Sequence, residues 1–188
     1  MFTIGLDLGK ERDYSALVLM QNQMQRLAAV KLHRWPLGTS YVDVARNVAT
    51  LTRKEQIAGK AVLVVDATGL GGPFMDVLRE ERPGCGVVAL TIGGRGRLRP
   101  TSPGFWKVGV PKGVLVQTLA AAVESKRFII ARTEPLAGVL LQEMQRLEVR
   151  IDAKGHAVYA ADFAAGTNDD LLLATMYAVW MALKGVPT

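Results

Sequence analysis

The chain has 188 residues, 49% of them hydrophobic, and a formal net charge of +6. That length suits one compact domain with a proper core and leaves a second domain cramped. A lone cysteine, Cys85, excludes an intrachain disulfide, no CxxC or Cys/His cluster points to zinc or redox chemistry, and no apolar run reaches the roughly 20 residues of a membrane span.

In chain order, the apolar run Phe2-Thr3-Ile4-Gly5-Leu6 reads as a strand that ends on Asp7-Leu8-Gly9. Thr3–Gly9, Ser15–Gln21 and Gln25–His33 form an expected antiparallel meander, with a tight turn at Gln21-Asn22-Gln23. Thr39 or Ser40 is placed to cap a helix running to about Ala58, with Val42, Ala45, Val48, Ala49 and Leu51 roughly on one face. The unbroken apolar run before Asp66 predicts a buried interior parallel strand over Lys60–Asp66. Thr68-Gly69-Leu70-Gly71-Gly72-Pro73 then turns into a helix ending near Glu81, and Val87–Ile92 is a short strand.

Gly93 to Pro100, rich in glycine and arginine, reads as a mobile segment. From Arg82 to Lys112 there are six basic residues, Arg82, Arg95, Arg97, Arg99, Lys107 and Lys112, and no Asp or Glu, so this stretch alone matches the net charge of the chain. A helix from Pro111 to about Lys126, an extended piece Phe128–Ala131 and a helix Glu134–Leu147 follow. Glu148–Ile151 and His156–Tyr159 flank Asp152-Ala153-Lys154-Gly155, a hairpin signal. Asp169 or Asp170 opens a final apolar helix to about Leu183.

Asp7 and Asp66 therefore end apolar strands, and Asp169-Asp170 begins an apolar helix. A carboxylate at the lip of a buried element costs desolvation energy unless it is paired or holds a cation, and three such positions point to divalent metal. The other candidates are weaker. His33 and His156 lack paired spacing, Ser15 and Ser102 lack a GxSxG setting, and no GxxxxGK[ST] phosphate loop occurs. Trp35 and Trp106 are open to base stacking, Trp180 reads as core, and Cys85 as inert. No helix carries the Arg, Asn and Gln set that would read a major groove, so nucleic acid would be held by its backbone.

Asp7-Leu8-Gly9 followed by Asp13-Tyr14-Ser15, then Val64-Val65-Asp66-Ala67-Thr68-Gly69, then Val110-Pro111-Lys112, then Asn168-Asp169-Asp170-Leu171, resemble the C-terminal nuclease domain of viral terminase large subunits. The resemblance covers nearly the whole chain. It implies an α/β, ribonuclease H-like fold: a central mixed β-sheet, antiparallel meander plus parallel strands, with helices on both faces. It also implies one nuclease domain over 1–188, without the ATPase motor, that cleaves double-stranded DNA during genome packaging with two Mg²⁺ or Mn²⁺ ions. Asp7 is expected to bridge the ions, Asp66 to hold one and Asp170 the other, with Asp169 a co-ligand or orienting group and Asp13 in the outer shell. Arg95, Arg97, Arg99, Lys107 and Lys112 are expected on DNA phosphates. The implied partners are duplex DNA, an ATPase motor domain or chain and other packaging components, with no membrane. The expected location is the cytoplasm, that of the bacterial host for a viral or prophage protein. A resolvase acting on four-way junctions, another ribonuclease H-like nuclease, and a non-catalytic packaging module remain alternatives.

Overall fold

In the computed structural model, residues 1–9, 13–69, 71–94, 96–151, 157–161 and 168–185 are described. The first three strands are β1 (Phe2–Asp7), β2 (Ala16–Gln23) and β3 (Arg26–Arg34), followed by helix α1 (Tyr41–Thr52) and strand β4 (Ala61–Asp66). Next come α2 (Gly71–Glu80), β5 (Gly86–Ile92), β6 (Arg99–Ser102), β7 (Phe105–Val110), α3 (Lys112–Glu124) and β8 (Phe128–Ile130). The chain closes with α4 (Ala137–Gln145), β9 (Leu147–Ile151), β10 (Ala157–Ala161) and α5 (Asp170–Lys184).

Eight strands form one sheet in the order β6-β7-β5-β4-β1-β2-β3-β8, and β9 and β10 pair separately. β1, β2 and β3 are the antiparallel meander, whereas β1, β4, β5 and β7 run parallel to one another. The sheet is flanked on both faces, because the side chains of its strands alternate between two cores. Ile4, Leu6, Leu63 and Val65 pack with α1 and α2, and Ala16, Val18, Val62 and Val64 pack with α3, α4 and α5. β4 is buried on both sides, which is why its sequence is unbroken Ala-Val-Leu-Val-Val.

α1 begins where Ser40 accepts the Asp43 N–H on its side chain at 3.1 Å, a cap of about 1 kcal/mol. α5 is buried on nearly every side, from Asp170 through Met181, so its sequence is apolar all round rather than striped. It crosses β1 at Gly5. A Cβ on Gly5 would lie 1.8 Å from the Ala174 carbonyl oxygen, so only glycine lets the helix sit this close.

Several expected boundaries shift. The β2–β3 turn is Met24-Gln25, with Gln23 opposite Arg26, so Gln21-Asn22-Gln23 belongs to the strand. α1 stops at Thr52 rather than near Ala58, and α4 spans Ala137–Gln145 rather than Glu134–Leu147. The segment expected to be mobile up to Pro100 contributes Arg99 and Pro100 to β6, which forms a hairpin with β7 at the sheet edge. Proline is tolerated there because an edge strand leaves one row of its backbone groups unpaired. The expected turn Asp152–Gly155 and His156 lie outside the described residues.

Candidate active site

β1 and β4 are neighbouring parallel strands with Leu6 opposite Val65, so Asp7 and Asp66 leave the carboxyl ends of the two strands side by side. In open α/β sheets that end of the strands is where ligand clefts form. Asp7 is buried. The turn after it is held by the Ser15 hydroxyl, which accepts the Gly9 N–H at 3.1 Å, and by the Tyr41 hydroxyl, which donates to the Gly9 carbonyl at 2.8 Å.

The start of α5 supplies the third acidic position, and because residues four and seven apart share a helix face, Asp170, Ala174 and Tyr177 lie along one side. The Tyr177 hydroxyl donates to Asp66 Oδ2 at 2.9 Å and stands 3.5 Å from Asp7 Oδ1. Asp66 Oδ1 accepts the Thr68 N–H at 2.7 Å. Three elements thus converge on one hydroxyl.

The two adjacent aspartates face different partners. Asp170 receives Arg34 in a bidentate fork, Nε to Oδ2 at 2.7 Å and Nη2 to Oδ1 at 3.0 Å. The same guanidinium bonds Glu143 of α4, whose second oxygen accepts the Leu172 N–H at 2.8 Å, and it stacks over the Tyr14 ring at 4.8 Å. Asp169 makes no side-chain cap bond to α5 and has Lys112 Nζ at 4.0 Å.

Among the described residues, electrostatics mark the cluster as short of positive charge. Burial, then the charges of Asp66, Asp169 and Asp170, hold the Asp7 carboxyl well above the usual carboxylate range. Burial raises Asp169 against the pull of Lys112, and raises Asp170 against that of Arg34. Burial also pushes Glu143 up to about 7, opposed by the Leu172 N–H, and keeps the Tyr177 phenol protonated, reinforced by Asp7 and Asp66. As the side chains lie, among the described residues no three Asp, Glu, His or Cys groups form a ready-made cage. Asp170 is turned toward Arg34, and Tyr177 stands between Asp7 and Asp66.

Asp13 is exposed, and its charge acts on Asp169. Arg97, Arg99 and Lys107 are exposed and line one groove, floored by the glycine backbone at Gly93, Gly94 and Gly96. Arg95 lies outside the described residues. Lys112 sits apart from that groove, at the acidic cluster. Trp35 and Trp180 are core, Trp106 is half-buried opposite Pro100, and burial pushes the Cys85 thiol up to about 11, as expected of an inert thiol. His33 is exposed on β3 with its Trp35 neighbour, and Ser102 is exposed in β6. Arg34, Glu143 and Tyr177 are the site residues that sequence reasoning missed.

No family model matches the chain, and no curated protein matches it in sequence. Solved structures do. The large terminase nuclease from thermophilic phage G20c with bound magnesium is 20% identical, with a TM-score of 0.68 over 96% of this chain and 81% of that one. The chain has the fold of a large terminase nuclease. The human cytomegalovirus terminase nuclease domain, manganese-soaked with an inhibitor bound, superposes with a TM-score of 0.59 at 12% identity, over 96% and 84% of the two chains. The large terminase of another thermophilic bacteriophage superposes with a TM-score of 0.63 at 15% identity, over 95% of this chain and 38% of that one. The terminase-nuclease fold therefore extends over nearly all of this sequence, and its ribonuclease H-like sheet is the one described above. Among the described residues no helix is long and apolar enough to cross a membrane.

Proposed function

We propose that this chain is a metal-dependent endonuclease that cuts double-stranded DNA in viral genome packaging. The observation that carries this reading is the buried Asp7 carboxylate, crowded by three further aspartates, with a phenol 3.5 Å away as its nearest side-chain donor among the described residues. Such a set is electrostatically incomplete. Its donors are hard carboxylate oxygens, which suit Mg²⁺ or Mn²⁺, and magnesium or manganese accompanies two of the similar structures.

Asp7 and Asp66 would hold the cations together with Asp169. Asp170, occupied by Arg34, anchors the helix start, which reverses the order expected from sequence for the two neighbours. The chemistry supplied by a bound pair of ions is activation of water and stabilisation of the leaving oxygen at the scissile phosphorus. The remaining work falls to the chain. Lys112, 4.0 Å from Asp169, would turn toward a phosphate at the same point. Arg97, Arg99 and Lys107 hold a flanking stretch of DNA backbone, with Arg95 assigned to the same strand of phosphates and Asp13 to the outer rim of the cluster.

The longer of the phage terminases described above is more than twice the length of its matched region, which supports an ATPase motor supplied by another domain or chain as partner; the proposed place of action is the cytoplasm of a bacterial host. The deciding experiment incubates the protein with Mn²⁺ and linear duplex, four-way junction or RNA–DNA hybrid, alongside Asp7→Asn. Cleavage of duplex by the wild type alone is expected, with Asp7→Asn inactive and melting at the same or a higher temperature because mutual repulsion is relieved. Preference for junctions or hybrids would move the assignment to a resolvase or another ribonuclease H-like nuclease. Neither cleavage nor thermal stabilisation by Mn²⁺ would leave a non-catalytic packaging module.

A further inference from the structure

We propose that Tyr177 is a positioning residue of this site: its hydroxyl fixes the Asp66 carboxylate beside Asp7 in the orientation that captures a divalent cation. The inference rests on the metal-dependent reading above and adds a residue that works through the acids.

The ring of Tyr177 is fully buried in the core between α5 and the sheet, a place that phenylalanine would fill equally well. The hydroxyl is what needs a reason. A buried phenol normally finds one partner, and here it meets two strand-end carboxylates, Asp66 Oδ2 at 2.9 Å and Asp7 Oδ1 at 3.5 Å. The terminal torsion of an aspartate is broad and poorly determined by rotamer preference alone. Asp66 escapes that freedom because each oxygen has its own donor, the Thr68 N–H at 2.7 Å on one side and the Tyr177 hydroxyl on the other. One donor per oxygen fixes the plane of the carboxylate and leaves a lone pair on each oxygen for an ion.

The placement depends on the fold at a distance from the acids. Tyr177 reaches them because α5 lies against Gly5 at a separation that no side chain at that position would permit. Among the described residues, Asp7 has no side-chain donor closer than this hydroxyl, so Tyr177 couples the less constrained acid to the more constrained one. Donors that orient ligating groups from behind contribute about 10–100-fold to metal affinity in known sites.

The test is Mn²⁺ binding to the full chain by titration calorimetry, in wild type, Asp7→Asn, Tyr177→Phe, Asp66→Asn and the Asp66→Asn/Tyr177→Phe double variant. Tyr177→Phe is expected to weaken Mn²⁺ binding about tenfold while its metal-free melting curve stays close to wild type. In the Asp66→Asn background the same change should alter binding less than about twofold, because the hydroxyl acts through Asp66. Wild-type affinity in Tyr177→Phe overturns the proposal. So does a further tenfold loss in the double variant, which would show that the hydroxyl acts by a route other than Asp66. Absence of Mn²⁺ binding by the wild type, or unchanged binding in Asp7→Asn, instead overturns the reading of the cluster as a metal centre.

Discussion

Arg34 is where the adjacent aspartates part company. Its fork takes both oxygens of Asp170 and reaches Glu143 as well, so one guanidinium joins β3, α4 and α5. The side chain is only 18% exposed, and removing one member of a buried ion pair leaves the rest uncompensated, at a cost of about 3–5 kcal/mol. Arg34→Met should therefore lower the unfolding free energy in urea by about that amount, and should do so in metal-free protein. A loss below about 1 kcal/mol, the range of an exposed pair, would show that the fork is a surface contact. The acids of the cluster were legible in the sequence because each ends or begins an apolar run, where an unpaired carboxylate is costly. Arg34, Glu143 and Tyr177 were not, since their hydrogen-bond partners lie 29 to 170 residues away along the chain. Glu143 offered the one clue, the single charged residue of a helix in which it stands among Val139, Leu140 and Met144.

Secondary-structure elements position the site through one close approach. α5 brings Asp169, Asp170 and Tyr177 to the ends of β1 and β4, and it does so across Gly5. In Gly5→Ala the new methyl group would meet the Ala174 carbonyl at 1.8 Å, so the helix must lift from β1. Overpacking of this kind costs about 1–3 kcal/mol or more. The expected outcome is a melting temperature several degrees lower, accompanied by weaker Mn²⁺ binding than in Arg34→Met, because the helix carries both Asp169, a proposed ligand, and Tyr177, the proposed positioning group. Equal Mn²⁺ affinity in Gly5→Ala and wild type would separate the helix position from the site. The meander, β4 and α5 follow directly from the apolar runs of the sequence. β6 did not, because Arg-Pro-Thr-Ser carries no strand signal of its own and becomes a strand only by pairing with β7. α4 begins late for a related reason. Glu134 is no part of the helix; it accepts the Leu32 N–H at 2.8 Å, satisfying β3 beyond the end of its short partner β8.

At the scale of the molecule, the acidic cluster sits at the middle of the sheet and the basic groove lies at the edge formed by β6 and β7. The order of elements was readable although identity to the similar structures is 20% or less, since burial pattern rather than residue identity determines which strands are interior. What composition could not give was the pairing of the basic residues. Arg99 stands directly opposite Lys107 in the β6–β7 register, both exposed. Like charges facing each other across a strand pair are destabilising by roughly 0.2–1 kcal/mol, and a polyanion lying over the groove would relieve that repulsion. Lys107→Glu is therefore predicted to act in opposite directions on two measurements. Opposite charges would then face each other across the hairpin, so stability in urea should stay level or rise by up to about 1 kcal/mol. DNA affinity, measured by fluorescence anisotropy over a series of salt concentrations, should fall, and the slope of log affinity against log salt should flatten by about 0.9, the share of one phosphate contact. A variant that loses stability and keeps its salt slope would place the DNA elsewhere, for then the repulsion across the hairpin would not be the cost of a binding surface.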